Sequence, residues 1–106
     1  MTQPALKTVQ ILPAFPEFGA FTDVLTFNAR KWTFEYEWRP RLTSWFVSIY
    51  DDELNPVVQG RRVVVGSNLT YGVLGFPGSL PVVGRFDVFQ NQLGQACQVL
   101  YVELDD

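Results

Sequence analysis

Residues 31–50 read KWTFEYEWRPRLTSWFVSIY, and their alternation decides the fold class. Trp32, Phe34, Tyr36 and Trp38 occupy every second position, with Lys31, Thr33, Glu35 and Glu37 between them. A strand sends successive side chains to opposite faces, so this octet has one aromatic face and one charged face. Arg39-Pro40-Arg41-Leu42 makes a short connection. Thr43 to Tyr50 then returns with Trp45, Val47 and Ile49 on one side and Phe46, Ser48 and Tyr50 on the other. Two such runs joined by a short proline-containing loop form an antiparallel hairpin. A small β chain needs a core, and the aromatic stripe facing Trp45, Val47 and Ile49 would supply it.

Outward from this hairpin the pattern stays β. Thr22 to Asn28 reads as a strand that turns through Asn28-Ala29-Arg30 into the aromatic one. Asp51-Asp52-Glu53-Leu54-Asn55-Pro56 is a dense turn cluster. Strand-like segments follow at Val57-Val58 and at 61–65, and another at 85–90 (RFDVFQ). The turn Asn91-Gln92-Leu93-Gly94 leads to a last strand at 98–104. Residues 66–84 hold five glycines and two prolines and read as a long loop with at most one brief strand. No helical period exceeds one turn. The expectation is an all-β domain over residues 21–106, a small antiparallel sandwich or barrel-like domain of about seven short strands. Residues 1–20, with Pro4, Pro13 and Pro16, form an extended N-terminal arm, with one strand at most.

Composition narrows the function classes. The chain has 106 residues, 47% hydrophobic and 18% charged, which suits a single folded domain. A net charge of −3 gives no electrostatic reason to expect nucleic acid. No segment approaches the ~18 apolar residues of a membrane-spanning helix. The N-terminus lacks the basic start and unbroken apolar run of a signal peptide, so synthesis in a cytoplasm is expected. Asn68-Leu69-Thr70 fits the glycosylation pattern, but without a secretory route it reads as chance.

Catalytic chemistry finds little support. Cys97 is the single cysteine, so no disulfide can form within the chain, and histidine is absent, which removes Ser-His and Cys-His pairs. Asp51-Asp52-Glu53 lacks the spacers and glycine of a calcium loop. Glu35 and Glu37 share a face but alternate with aromatics as solvated residues do. Neither an enzyme nor a cofactor is expected. Recognition surfaces are better supported. Six of the eight cations are arginine, the cation favoured at interfaces, and Arg39 with Arg41 and Arg61 with Arg62 form pairs. Leu6, Ile11, Phe15 and Phe18 in the arm, and Phe76 in the loop, lie outside the clear strands and are candidate partner contacts. An arm this apolar can pair with the domain's own edge strand or add to a neighbour, and contact with a neighbour is the favoured fate.

The order of these features resembles the small baseplate plug proteins of contractile-tailed, cyanophage-type bacteriophages. The W-x-F-x-Y-x-W strand leads to Trp45, Ile49 and Tyr50, then to the turn Asp51 to Pro56. Gly60, Val63, Val64, Gly66 and Leu69 follow, and Leu93, Gly94, Leu100 and Tyr101 close the pattern, which spans about residues 18 to 104. Leu54 stands where the family's turn has glycine, so the positive φ is either absent or borne by Asn55. The resemblance implies a non-enzymatic part of the virion tail baseplate, in host cytoplasm before assembly. It further implies packing against hub, spike or tube proteins, in several copies of a symmetric assembly. A different reading makes the aromatic face a platform for a glycan or peptide. It requires at least two of Trp32, Trp38 and Trp45 to be exposed.

Overall fold

The computed structural model describes residues 6–27, 29–73, 75–84, 93 and 97–104. It contains seven strands: β1 (Leu6–Ile11), β2 (Ala20–Phe27), β3 (Arg30–Arg39), β4 (Ser44–Tyr50), β5 (Pro56–Arg62), β6 (Val82–Gly84) and β7 (Cys97–Leu104). Two antiparallel sheets form, ordered β2-β3-β4-β5 and β1-β7-β6, and neither closes into a barrel. The all-β expectation holds, and of its two variants the sandwich is the one adopted. The proposed strand at 85–90 and all of the turn at 91–94 except Leu93 lie outside the described residues.

The four-stranded sheet is a meander built on the aromatic hairpin. Tyr36 faces Val47 and Trp38 faces Trp45 across the β3–β4 ladder, and Leu25 faces Trp32 across β2–β3. The inward set Trp32, Phe34, Tyr36, Trp45, Val47 and Ile49 is buried, while Trp38 is half-buried near the sheet's end. Each such side chain contributes about 1.5–3 kcal/mol through apolar area removed from water. The opposite face carries Glu35 and Glu37 into solvent. Pairing between β4 and β5 shifts register where Val47 faces Arg61 but Ile49 faces Val58. Gly60, at φ +54°, absorbs that bulge and donates its N–H to Ser48 Oγ at 2.9 Å.

The second sheet closes the core with Val82, Val99 and Tyr101, and the chain crosses between the two sheets twice. The first crossing follows β1, which pairs with β7 of its own chain: Val9 faces Val102 and Ile11 faces Leu100. The arm's inner edge is thus used within the domain, and Leu12 is buried in the shared core. The second crossing is the glycine-rich segment 63–81. It is shaped by Asn68, whose Oδ1 accepts from Thr70 N–H, Thr70 Oγ1 and Leu80 N–H. Those three bonds give the Asn68-Leu69-Thr70 motif a structural task.

Candidate interaction surface

The fold gathers five of the sequence candidates at one end of the four-stranded sheet. The tight Pro16–Phe18 turn precedes β2, and the Pro40–Leu42 turn joins β3 to β4. Trp38 donates its backbone N–H to Gly19 O at 2.8 Å, which ties these two turns together. Ala20, Glu37, Phe46 and Arg62 then form one row across the four strands. Phe15, Phe18, Arg39, Arg41 and Arg62 therefore share one tip.

Much of the tip is open to solvent. Phe18 is 71% exposed and Leu42 53%, and Arg41 and Arg62 project into solvent. Arg39 is held more firmly, with its guanidinium 4.2 Å from the Phe46 ring centroid and 3.6 Å from Glu37 Oε1. An open, mostly apolar groove of about 660 Å³ runs over Glu37, Trp38, Arg39, Pro40, Arg41 and Leu42. Trp38 lines it and leans on Trp45 at 5.8 Å between centroids. Trp38, Pro40 and Leu42 line this groove and are not among the contact candidates drawn from the sequence. The signal for Leu42 was an apolar residue inside a short proline-containing turn, where polar residues are usual.

The remaining candidates sit elsewhere. Ile11 lies on the outer face of the three-stranded sheet and is exposed, whereas the Leu6 side chain lies outside the described residues. Arg61 points away from Arg62 and donates Nη1 to Leu69 O at 3.0 Å and Tyr71 O at 2.7 Å. Phe76 is half-buried, 4.8 Å from Trp32 and 6.0 Å from Tyr101 between ring centroids. Both serve the domain's own packing.

The opposite end of the sheet is acidic. Asp51 Oδ1 accepts the N–H groups of Glu53 and Asn55, so this carboxylate braces its own turn. Asp52 pairs with Arg30 at 3.0 Å, and that guanidinium holds its carboxyl below the ordinary carboxylate range. Among the described residues, no group of three or more metal-ligating side chains converges. Leu54 itself takes the positive φ of this turn, at +63°, which corrects the choice between none and Asn55.

The aromatic platform is not formed. Trp32 is 1% exposed and Trp45 is fully buried, so at most one of the three tryptophans is available where the platform needs two. Among the described residues, Trp32 Nε1 and Asp23 Oδ2 are buried without a hydrogen bond. Burial raises the Asp23 carboxyl above its ordinary pKa. Burial also raises the Tyr36 hydroxyl far above its ordinary range, with the Asp23 charge adding to it. The Tyr101 hydroxyl is pushed up to about 12, first by burial and then by its bond to Glu103 Oε2.

No curated protein matches the chain. A family model described as cyanophage baseplate Pam3 plug gp18 matches residues 14–105, nearly the whole length. That span contains both sheets' paired strands except β1, together with the whole tip. The chain belongs to this cyanophage baseplate plug family, whose place is a structural one in the phage virion's tail.

Proposed function

We propose that this chain is a non-enzymatic baseplate subunit that docks on neighbouring hub, spike or tube proteins through its arginine-aromatic tip. One observation carries the reading: Phe18, Trp38, Leu42, Arg41 and Arg62 meet at one end of the sheet, exposed or half-exposed. Aromatic residues and arginines are the side chains that anchor protein interfaces, with the rings filling pockets and the guanidinium forks finding carboxylates. The non-catalytic part rests on a chain without histidine whose Asp51 and Asp52 carboxylates are engaged in its own turns. Before assembly the subunit resides in host cytoplasm, and in the particle it is present in several symmetry-related copies.

The test mixes the purified chain separately with the hub, spike and tube proteins of its own phage and follows co-elution by light scattering. At least one partner co-elutes with the native chain. The variant carrying Phe18→Asp and Leu42→Asp keeps its thermal transition, because both side chains are exposed, and loses that partner. Co-elution with none of the three, or equal binding by the variant, overturns the reading.

A further inference from the structure

The three-stranded sheet differs from its partner in having almost nothing polar outside. Its described outward residues are Val9 and Ile11 on β1, Leu100 and Val102 on β7, and Pro81 and Val83 at β6, with Gln98 and Ser79 the polar exceptions. Val9 is 52% and Ile11 58% exposed. In the other sheet the corresponding face carries Glu35, Glu37, Arg39 and Arg62. An antiparallel sheet with one face in water normally alternates apolar-in with polar-out, and this one breaks that rule.

Strand β1 is also an edge. In the order β1-β7-β6 it has a partner on one side only among the described residues. Leu12 donates its N–H to Val99 O, and Leu100 and Val102 donate theirs toward Pro81 O and Ser79 O. Alternation then turns the N–H and C=O groups of Gln10 toward β7 and those of Val9 and Ile11 outward. Natural sheets guard such an edge with charge, proline or a bulge. Here Lys7 and a register shift between Leu6 and Thr8 guard one end, and Pro13 ends the other. Between them lies an unguarded window of two outward hydrogen-bonding residues.

We infer that this window pairs with the same window of a second copy, β1 against β1 in antiparallel register about a two-fold axis at Gln10. The register is self-complementary. Val9 of each copy faces Ile11 of the other, which satisfies both outward N–H groups and both outward C=O groups of each chain. Charge fits as well: Lys7 falls opposite Pro13 of the second copy, so no two cations face each other, and nothing charged stands in the window. The product is a six-stranded sheet, β6-β7-β1-β1-β7-β6, with a continuous aliphatic outer face. An edge pairing of this length is a small interface, so association is concentration-dependent. The inference is independent of the tip reading, which uses the other sheet.

Cysteine trapping and sedimentation test it on the full chain. In this register the two Gln10 positions are a non-hydrogen-bonded pair with Cα atoms about 4.5 Å apart, inside disulfide range. Gln10→Cys therefore forms a linked dimer on air oxidation that thiol reduction reverses, and buried Cys97 stays out of reach. The control is Val24→Cys, comparably exposed on the four-stranded sheet, which links far less. Val9→Pro removes only an outward N–H, so it leaves the β7 ladder in place and abolishes the dimer in sedimentation runs. Should that variant fail to fold, Ile11→Lys weakens the same pairing through the outer face. A native chain that stays monomeric up to millimolar concentration, linkage of Gln10→Cys no greater than the control, or a dimer surviving both variants overturns the inference.

Discussion

Phe27 on β2 and Tyr101 on β7 stack face to face, with ring centroids 3.9 Å apart and planes 9° apart. The pair bridges the two sheets, and Phe76 closes on both rings edge-on at about 6 Å. Tyr101 is 1% exposed, and its hydroxyl reaches Glu103 at 2.9 Å. Tyr101→Ala removes a ring that the sandwich cannot collapse to replace, with an expected loss of about 3–5 kcal/mol in urea unfolding. Tyr101→Phe keeps the stack and loses one hydrogen bond, with an expected loss of about 0.5–1.5 kcal/mol. Equal effects from the two variants would show that the stack does not join the sheets.

Asp23 gives the domain a pH dependence of known sign. It lies on edge strand β2, faces inward, and has Oδ2 buried without a hydrogen bond. Its pKa is raised by burial, so over the range above the ordinary carboxylate value the folded state holds a proton that the unfolded chain has released. Stability then falls as pH rises through that range and is constant again above the native pKa. Asp23→Asn removes this dependence. The variant's advantage over the native chain in chemical unfolding should be small at pH 4 and larger at pH 7. An advantage that is absent at pH 7, or the same at both, counts against a buried, strained carboxylate. An inward charge on an edge strand also discourages edge-to-edge pairing, a reason for β2 to keep it.

Leu54 is held at φ +63° and is 69% exposed. The left-handed region costs a residue with a Cβ about 1–2 kcal/mol, and this side chain gains little packing in return. Glycine removes that strain but loses about 0.5–1 kcal/mol of backbone entropy on folding. Leu54→Gly should therefore raise stability by a fraction of a kcal/mol up to about 1 kcal/mol. The hydrogen bonds of Asp51 Oδ1 to Glu53 and Asn55 remain in place. A lower melting temperature in the glycine variant would show that Leu54 packs on something in the native domain.

The hairpin was legible because period-2 alternation is a local signal, and Trp32–Trp38 and Trp45–Ile49 each carry it without interruption. Long-range pairing is not local, and there the reading thinned. Nothing in Leu6–Ile11 names β7 as its partner, since loop closure between strands so far apart depends on the whole core. Adjacency in sequence is not adjacency on a surface: Arg61 and Arg62 are neighbours in the chain, yet strand alternation sends one to the 69–71 backbone and leaves the other on the outer face. Phe76 looked exposed by its place in a glycine-rich loop, but the rings of Phe27, Trp32, Phe34 and Tyr101 surround it. The tip was half legible. Its arginines and phenylalanines stood out by type, whereas Trp38 and Leu42 joined them as candidates only once the two turns were seen to meet.

Gly78 marks where the connecting segment touches the second sheet most closely. A Cβ there would lie 2.5 Å from Val102 O and 2.9 Å from Tyr101 Cε1. Neither neighbour can yield cheaply. Val102 is bonded in both directions to Ser79, at 2.8 and 2.9 Å, and Tyr101 is fixed by its stack on Phe27. Gly78→Ala must push the segment off the sheet, lengthen the Ser79–Val102 bonds and tilt Tyr101. The expected loss is about 1–3 kcal/mol for overpacking, with weakened hydrogen bonds adding to it. At roughly 4–8 °C per kcal/mol for a domain near this size, the melting temperature falls by at least several degrees. Amide exchange supplies the specific readout: protection at Ser79 and Val102 drops further than at Tyr36 and Val47 in the other sheet. Uniform loss of protection across both sheets would mean that the close contact at Gly78 is not where the strain falls.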